Sequence, residues 1–200
     1  MKNKSSGDST ANKKILDLFA EAGTLKRVKR NGWWMTGAPA EESVADHSFR
    51  CAVIGYVLAR MEKTDPYKVI LMTLFNDIHE SRTGDSHKVA HRYLNVRTAE
   101  KNAFREQMKG LPDLLRKELS GMREEYDGQK TPESKVSRDA DILECLIQAK
   151  EFLDMGFRKT EKFFKEGPKH LVTQSAKSLW KTAEKWDSSM WWEFIGKFER

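Results

Sequence analysis

Between residues 44 and 155 the apolar side chains recur at intervals of three and four, and almost nowhere do they alternate. A chain patterned this way folds as helix packed on helix, because a 3.6-residue period gathers such residues on one helix face whereas a strand needs a period of two. Val44, His47, Cys51, Ile54 and Leu58 form one such stripe. It opens behind Ser43, an N-cap residue, with Asp46 three positions later as an acidic variant of the capping box. Pro66 stands where a first-turn proline belongs, and the helix it opens is expected to run to about Arg82. Further helices are expected over 86–94, 97–109 and 112–127, punctuated by Gly110-Leu111-Pro112 and Gly128, and a long one from Pro132 to about Met155, stopped by Gly156. Ahead of them, Leu16, Phe19 and Ala20 give a short amphipathic helix closed by Gly23, and residues 23–42 read as a loop. No internal repeat or domain break is visible. The expectation is one all-α domain, with a polar, disordered tail over 1–13, a helical core over 14–155 and a Trp-rich helical extension over 156–200 that packs on the core.

Composition narrows the function. Two hundred residues suffice for a buried core, and no apolar run approaches the ~20 residues of a membrane span. Cys51 and Cys145 are far apart and fit neither a disulfide framework nor a zinc knuckle, so a reducing cytoplasm is the expected setting. The net charge of +6 comes from Lys and Arg scattered among Glu and Asp, without an aromatic-basic signature or a helix-turn-helix. That pattern speaks against a nucleic-acid polymer as partner and is compatible with a small phosphorylated molecule.

The candidate chemical groups fall on three different helices. His47 lies in the first turn of its helix; Asn76, Asp77, His79 and Glu80 lie near the end of theirs; Asp141 sits in an otherwise apolar stretch. Helical bundles build metal sites in this way, from carboxylates and imidazoles projecting inward from facing helices. A buried carboxylate is costly unless paired or metal-bound, so Asp141 needs a partner. Plainer readings exist for each group. Asp46 serves as a cap, His47 as a hydrogen-bonded core histidine, Asp141 as an ion-pair partner of Arg138 or Lys150, and His87 with His91 as surface histidines. It is their joint occurrence in order that favours chemistry.

The ordered segments Glu42-Ser43-Val44-Ala45-Asp46-His47, Asn76-Asp77-Ile78-His79-Glu80, Thr83-Gly84-Asp85 and Ala140-Asp141 resemble the HD-domain phosphohydrolase superfamily, in the branch that holds the 5′-deoxynucleotidases. Leu25 to Trp33 and Glu124-Glu125-Tyr126 are similar to that branch as well, and the resemblance covers roughly residues 14 to 155. It implies an HD-type helical bundle and a divalent transition metal ion (Mn, Co, Fe, Ni or Zn) held at His47, Asn76, Asp77 and Asp141. It further implies that Glu80 and Asp85 position and activate water and handle the leaving group. A basic residue ahead of the first ligand, Arg30 or else Arg27, would contact the substrate phosphate or sugar. A homodimer is also implied, with the C-terminal rings Trp180, Trp186, Trp191, Trp192, Phe194 and Phe198 either sealing it or covering the chain's own core.

Asn76 departs from the family pattern, which has histidine there. A carboxamide oxygen is a weaker, harder ligand than an imidazole. Three readings follow: a metal site of reduced affinity, a catalytically inactive nucleotide-binding or regulatory relative, or a substitution made to trap a complex. His79, on the same helix face, is a further candidate to replace the lost ligand. The leading expectation is a metal-dependent phosphomonoesterase acting on a nucleoside 5′-monophosphate. A non-catalytic nucleotide-binding module and a pyrophosphohydrolase of a signalling nucleotide are the alternatives.

Overall fold

The computed structural model describes residues 5–39, 41–193 and 195–196. Among these the chain is helical, with one isolated antiparallel bridge between Lys29 and Ser43. The helices are α1 (Ser5–Thr24), α2 (Val44–Glu62), α3 (Pro66–Phe75), α4 (Glu80–Thr83), α5 (Val96–Met108), α6 (Asp113–Gly128), α7 (Pro132–Asp154), α8 (Phe163–Glu166), α9 (Gln174–Ala183) and α10 (Met190–Glu193).

Local chemistry sets the ends of the central helices. Ser43 Oγ accepts from Asp46 N while Asp46 Oδ2 accepts from Ser43 N at 2.9 Å, the reciprocal capping box that opens α2. Asp65 caps α3 ahead of Pro66, and Thr131 caps α7 ahead of Pro132, each accepting a backbone N–H of the first turn. These three helices pack together around Leu58, Val69, Val136, Leu143 and Leu146, all essentially inaccessible, each contributing about 1.5–3 kcal/mol of burial. Gly55 lets α2 and α3 approach: a Cβ there would stand 3.0 Å from Val69 Cγ1 and 3.2 Å from Thr73 Cγ2. On one side α1, α5 and α6 enclose a second cluster with Phe104, Met108 and Leu119. On the other, α9 lays Ala176 and Trp180 on the central cluster, with the Trp180 ring 5.0 Å from that of Phe164.

Four expectations need correction. The helix α1 begins at Ser5, inside the segment expected to be a tail: no proline interrupts residues 5–13, and one unfavourable Gly7 costs only ~1 kcal/mol, so the helix propagates outward from its packed part. The packed stripe of α1 is Ile15 and Leu18, whereas Leu16 and Phe19 are exposed. Both pairs have helical spacing, and the neighbouring α5–α6 cluster selects between them. Residues 86–94 form no full helix, only a 3-10 turn at Ala90–Arg92. Finally, α3 stops at Phe75 rather than continuing to Arg82. From there Ile78 N bonds Phe75 O and Glu80 N bonds Asp77 O, three residues back instead of four, so the chain tightens and turns. The freed Asn76 carbonyl is taken by Arg123 Nη1 at 2.8 Å and approached by His79 Nδ1 at 3.0 Å.

Of the C-terminal aromatic residues, Trp180 is buried, Trp186, Trp191 and Trp192 are exposed, and Phe194 and Phe198 lie outside the described residues. No described helix is long and apolar enough to cross a membrane.

Candidate functional site

The N-terminus of α2, the turn after α3 and the middle of α7 meet at His47. Its Nε2 lies 3.4 Å from Asp77 Oδ2 and 3.2 Å from Asp141 Oδ1. Its Nδ1 lies in hydrogen-bond contact with Glu144 Oε2, one turn beyond Asp141 on α7. His47 and Glu144 side chains are both buried to 1% exposure. Arg50, one turn beyond His47 on α2, donates from Nε to Glu144 Oε1 at 2.9 Å and from Nη1 and Nη2 to Glu151 and Gln148.

Electrostatics make this a high-charge, low-water centre. Burial works to raise the Asp77 and Asp141 carboxyls, yet their hydrogen bonds to His47 prevail and hold both below the usual carboxylate range. Burial likewise opposes an imidazolium, but the surrounding anions, Glu144 and Asp141 among them, raise the His47 pKa well above its ordinary value. Burial acts to raise Glu144 too, and His47 and Arg50 hold it low, which places Glu144 to accept from Nδ1.

The two Nε2-to-carboxylate separations suit a divalent ion. Ligand atoms ~2.1 Å from a common ion lie about 3.0–3.4 Å apart, and the two Nε2-to-carboxylate separations fall in or near that range. A proton on Nε2 does the same electrostatic work, and ion and proton compete for one place. A second donor set shares His47: it, Cys51 and Glu144 offer ligand atoms within 4.8 Å of one another. In that set Glu144 is already engaged by Nδ1 and Arg50.

The other sequence candidates separate clearly. The Asn76 carboxamide donates to Asp77 Oδ1 at 2.7 Å, leaving Oδ2 to face His47. His79 turns the other way, toward the Asn76 carbonyl and Glu100 of α5, 3.9 Å from its Nε2, so it does not replace a ligand beside His47. Glu80 is buried with Oε2 unpaired; burial, then the charges of Asp77 and Asp85, raise its pKa well above the carboxylate norm. Asp85 accepts the Asn31 backbone N–H, with Arg30 Nη1 4.0 Å from its Oδ1. Arg30 itself is pinned by its N–H to Glu42 O at 3.0 Å, beside the bridge from Lys29 to Ser43. Burial works against its charge, and Asp77 with the neighbouring anions restores it and raises its pKa. Arg27 donates instead to Thr24 at the surface. Asp141 also receives Arg138 Nη1 at 3.0 Å, whereas Lys150 pairs with Asp154. His87 edges onto Trp34 and His91 bonds Ser86 O, so these two form no common site.

Sequence reasoning did not single out Glu144, Arg50 or Glu42. Glu42 accepts from the buried Trp33 indole, and burial followed by the Glu144 charge raises it to about 7. The one available signal was the spacing of Glu144, three residues after Asp141.

The profile of the HD domain matches residues 22–184. The chain belongs to the HD-domain family. Within this phosphohydrolase family its similarity falls on the HDDC2 branch. The 5′-deoxynucleotidase HDDC2 of Dictyostelium discoideum is 34% identical over 147 residues, covering 68% of this chain and 76% of that protein. The human 5′-deoxynucleotidase HDDC2 is 32% identical over 146 residues, covering 70% and 69%. Among solved structures, a conserved hypothetical protein from Pyrococcus furiosus superposes with a TM-score of 0.71 at 30% identity, over 85% of this HD-domain chain and 97% of its own. A predicted metal-dependent phosphohydrolase from Magnetospirillum magnetotacticum shares the fold, with a TM-score of 0.68 at 20% identity over 88% and 92%.

Proposed function

We propose that this HD-domain protein is a metal-dependent phosphomonoesterase that removes the 5′-phosphate of a nucleoside monophosphate. The observation that carries the reading is the meeting of His47 Nε2 with Asp77 and Asp141 from three separate helices. The names of its relatives, 5′-deoxynucleotidases, support the substrate class.

His47, Asp77 and Asp141 would hold the ion, with Asn76 orienting Asp77 and offering at most a weak fourth donor. Once bound, a divalent ion polarises a phosphoryl group and lowers the pKa of water. The remaining work falls to the chain. Arg30 is a half-buried permanent cation beside the acids and would bind the phosphate charge. Glu80, whose pKa is raised by burial and by Asp77, would hold the proton that a leaving oxygen needs. Asp85 anchors the loop that carries Arg30 through Asn31, and so would fix the position of the phosphate.

A second reading is favoured by one observation. Because the Asn76 amide is turned toward Asp77, the site has an imidazole only at His47, which suits a nucleotide-binding or regulatory protein of weak catalytic power. A pyrophosphohydrolase of a signalling nucleotide is the third. Phosphate release measured over monophosphates, cyclic nucleotides and pyrophosphorylated nucleotides, alongside metal content, separates the three. Release from 5′-monophosphates alone supports the first, and metal-loaded protein that binds but hydrolyses none of them overturns it.

We further propose a homodimer. Its support is the exposed apolar groove of about 350 Å³ between α2 and α9, lined by Val53, Val57, Leu179 and Trp186.

A further inference from the structure

Glu144 lies outside the acids through which the proposed reaction runs, yet it is fully buried beside them. It is aimed at the one ring nitrogen that an ion at the Asp77–Asp141 face would not use. An imidazole that binds metal through one nitrogen has its tautomer and ring plane set by what the other nitrogen meets. Here that partner is charged and buried, and it is braced from behind by a guanidinium. Arg50 bonds Glu144 Oε1, and is itself fixed by Glu151 and Gln148 on successive turns of α7. Rotation of the His47 ring would break a buried charge-assisted bond.

We infer that Glu144, braced by Arg50, is a positioning residue that holds the His47 proton on Nδ1 and keeps Nε2 free and aimed between Asp77 and Asp141. This rests on the proposed metal reading. It assigns Glu144 no contact with substrate. The neighbouring Cys51 marks the competing arrangement, in which Glu144 would be a ligand.

The test uses the full chain with Zn²⁺ as the probe, titrated calorimetrically against a competing chelator. Glu144→Gln keeps the side-chain shape and an acceptor for Nδ1–H but removes the charge; it should bind Zn²⁺ ~10–100-fold more weakly, the usual cost of losing such a support. Arg50→Lys should give a smaller loss in the same direction, because an ammonium retains the charge but not the fork. Cys51→Ser should leave the affinity unchanged. Nitrogen NMR of the Zn²⁺-loaded wild type should show His47 protonated at Nδ1 and metal-bound at Nε2, a readout independent of how the variants fold. Unchanged affinity in Glu144→Gln, or a His47 proton on Nε2, overturns the inference while the metal reading stands. An equal loss in Cys51→Ser moves the ion to the His47–Cys51–Glu144 set and also overturns it. A wild-type chain that takes up no Zn²⁺ removes the metal reading itself.

Discussion

Arg123 of α6 donates from Nη1 to the backbone carbonyl of Asn76, 2.8 Å away, and so fills the acceptor released where α3 ends. Its guanidinium also lies 5.6 Å from the centroid of Phe104 and 3.2 Å from Asp127. The turn that carries Asp77 and Glu80 is thus held from outside the helix. Arg123→Met should cost roughly 1–3 kcal/mol of stability, because a part-buried carbonyl loses its charged donor. Urea unfolding would register this as a lower midpoint with unchanged slope; a midpoint equal to wild type would show that the turn holds itself.

Replacing Asn76 with histidine adds an imidazole beside Asp77. Affinity for a divalent transition ion and turnover of a 5′-monophosphate should both rise. Calorimetry and phosphate release measure the two. Higher activity with asparagine would show a site already adapted to its amide.

Glu80→Gln and Asp85→Asn should depress turnover far more than metal affinity, Glu80→Gln by ~10²–10⁴-fold if it handles the proton. Loss of the ion from either variant, with normal chemistry after reconstitution, would make that residue a ligand.

Two aspartates, two positions apart on α7, should behave oppositely. Asp139 is fully buried and accepts Val172 N at 3.0 Å, Thr173 N at 2.7 Å and Thr173 Oγ1 at 2.6 Å, which ties the start of α9 to α7. Asp139→Ala should cost about 1–3 kcal/mol or more for the abandoned donors and leave metal affinity intact in the folded fraction. Asp141→Ala should lower metal affinity sharply with a smaller change in melting temperature. The reverse pattern would exchange their roles.

Assembly is best probed by point substitution. Truncation at residue 170 would strip Leu171, Ala176 and Trp180 from the central core and confound the result. Val53→Asp places a charge in the α2–α9 groove instead. Light scattering at micromolar concentration should give a dimer for the wild type and a monomer for the variant. A dimer that survives the change puts the interface elsewhere.

How much of this was legible in the sequence follows from how far each determinant reaches. The cap at Ser43 and Asp46, the first-turn prolines and the stripe of α2 depend on neighbours within four residues, and they read correctly. The break after Phe75 did not, because what receives the Asn76 carbonyl is Arg123, 47 residues on. The resemblance already favoured Arg30 over Arg27; what spacing does not reveal is the backbone bond to Glu42 that fixes Arg30 near the acids. Glu144 was hidden for a similar reason. It lies 97 residues from His47, and its one local signal, the spacing of three from Asp141, does not show that it reaches Nδ1.

That same span of 97 residues sets an order of events during synthesis. When the ribosome has released α2 and α3, His47 and Asp77 are in place, but Asp141 and Glu144 have not yet been made. The growing chain can fold its early helices as a local unit, since domains generally take shape from the N-terminal side. Its imidazole meanwhile lacks both the charge behind it and one of the two in front. On the proposed metal reading, competence for an ion would arrive in one step, when α7 docks.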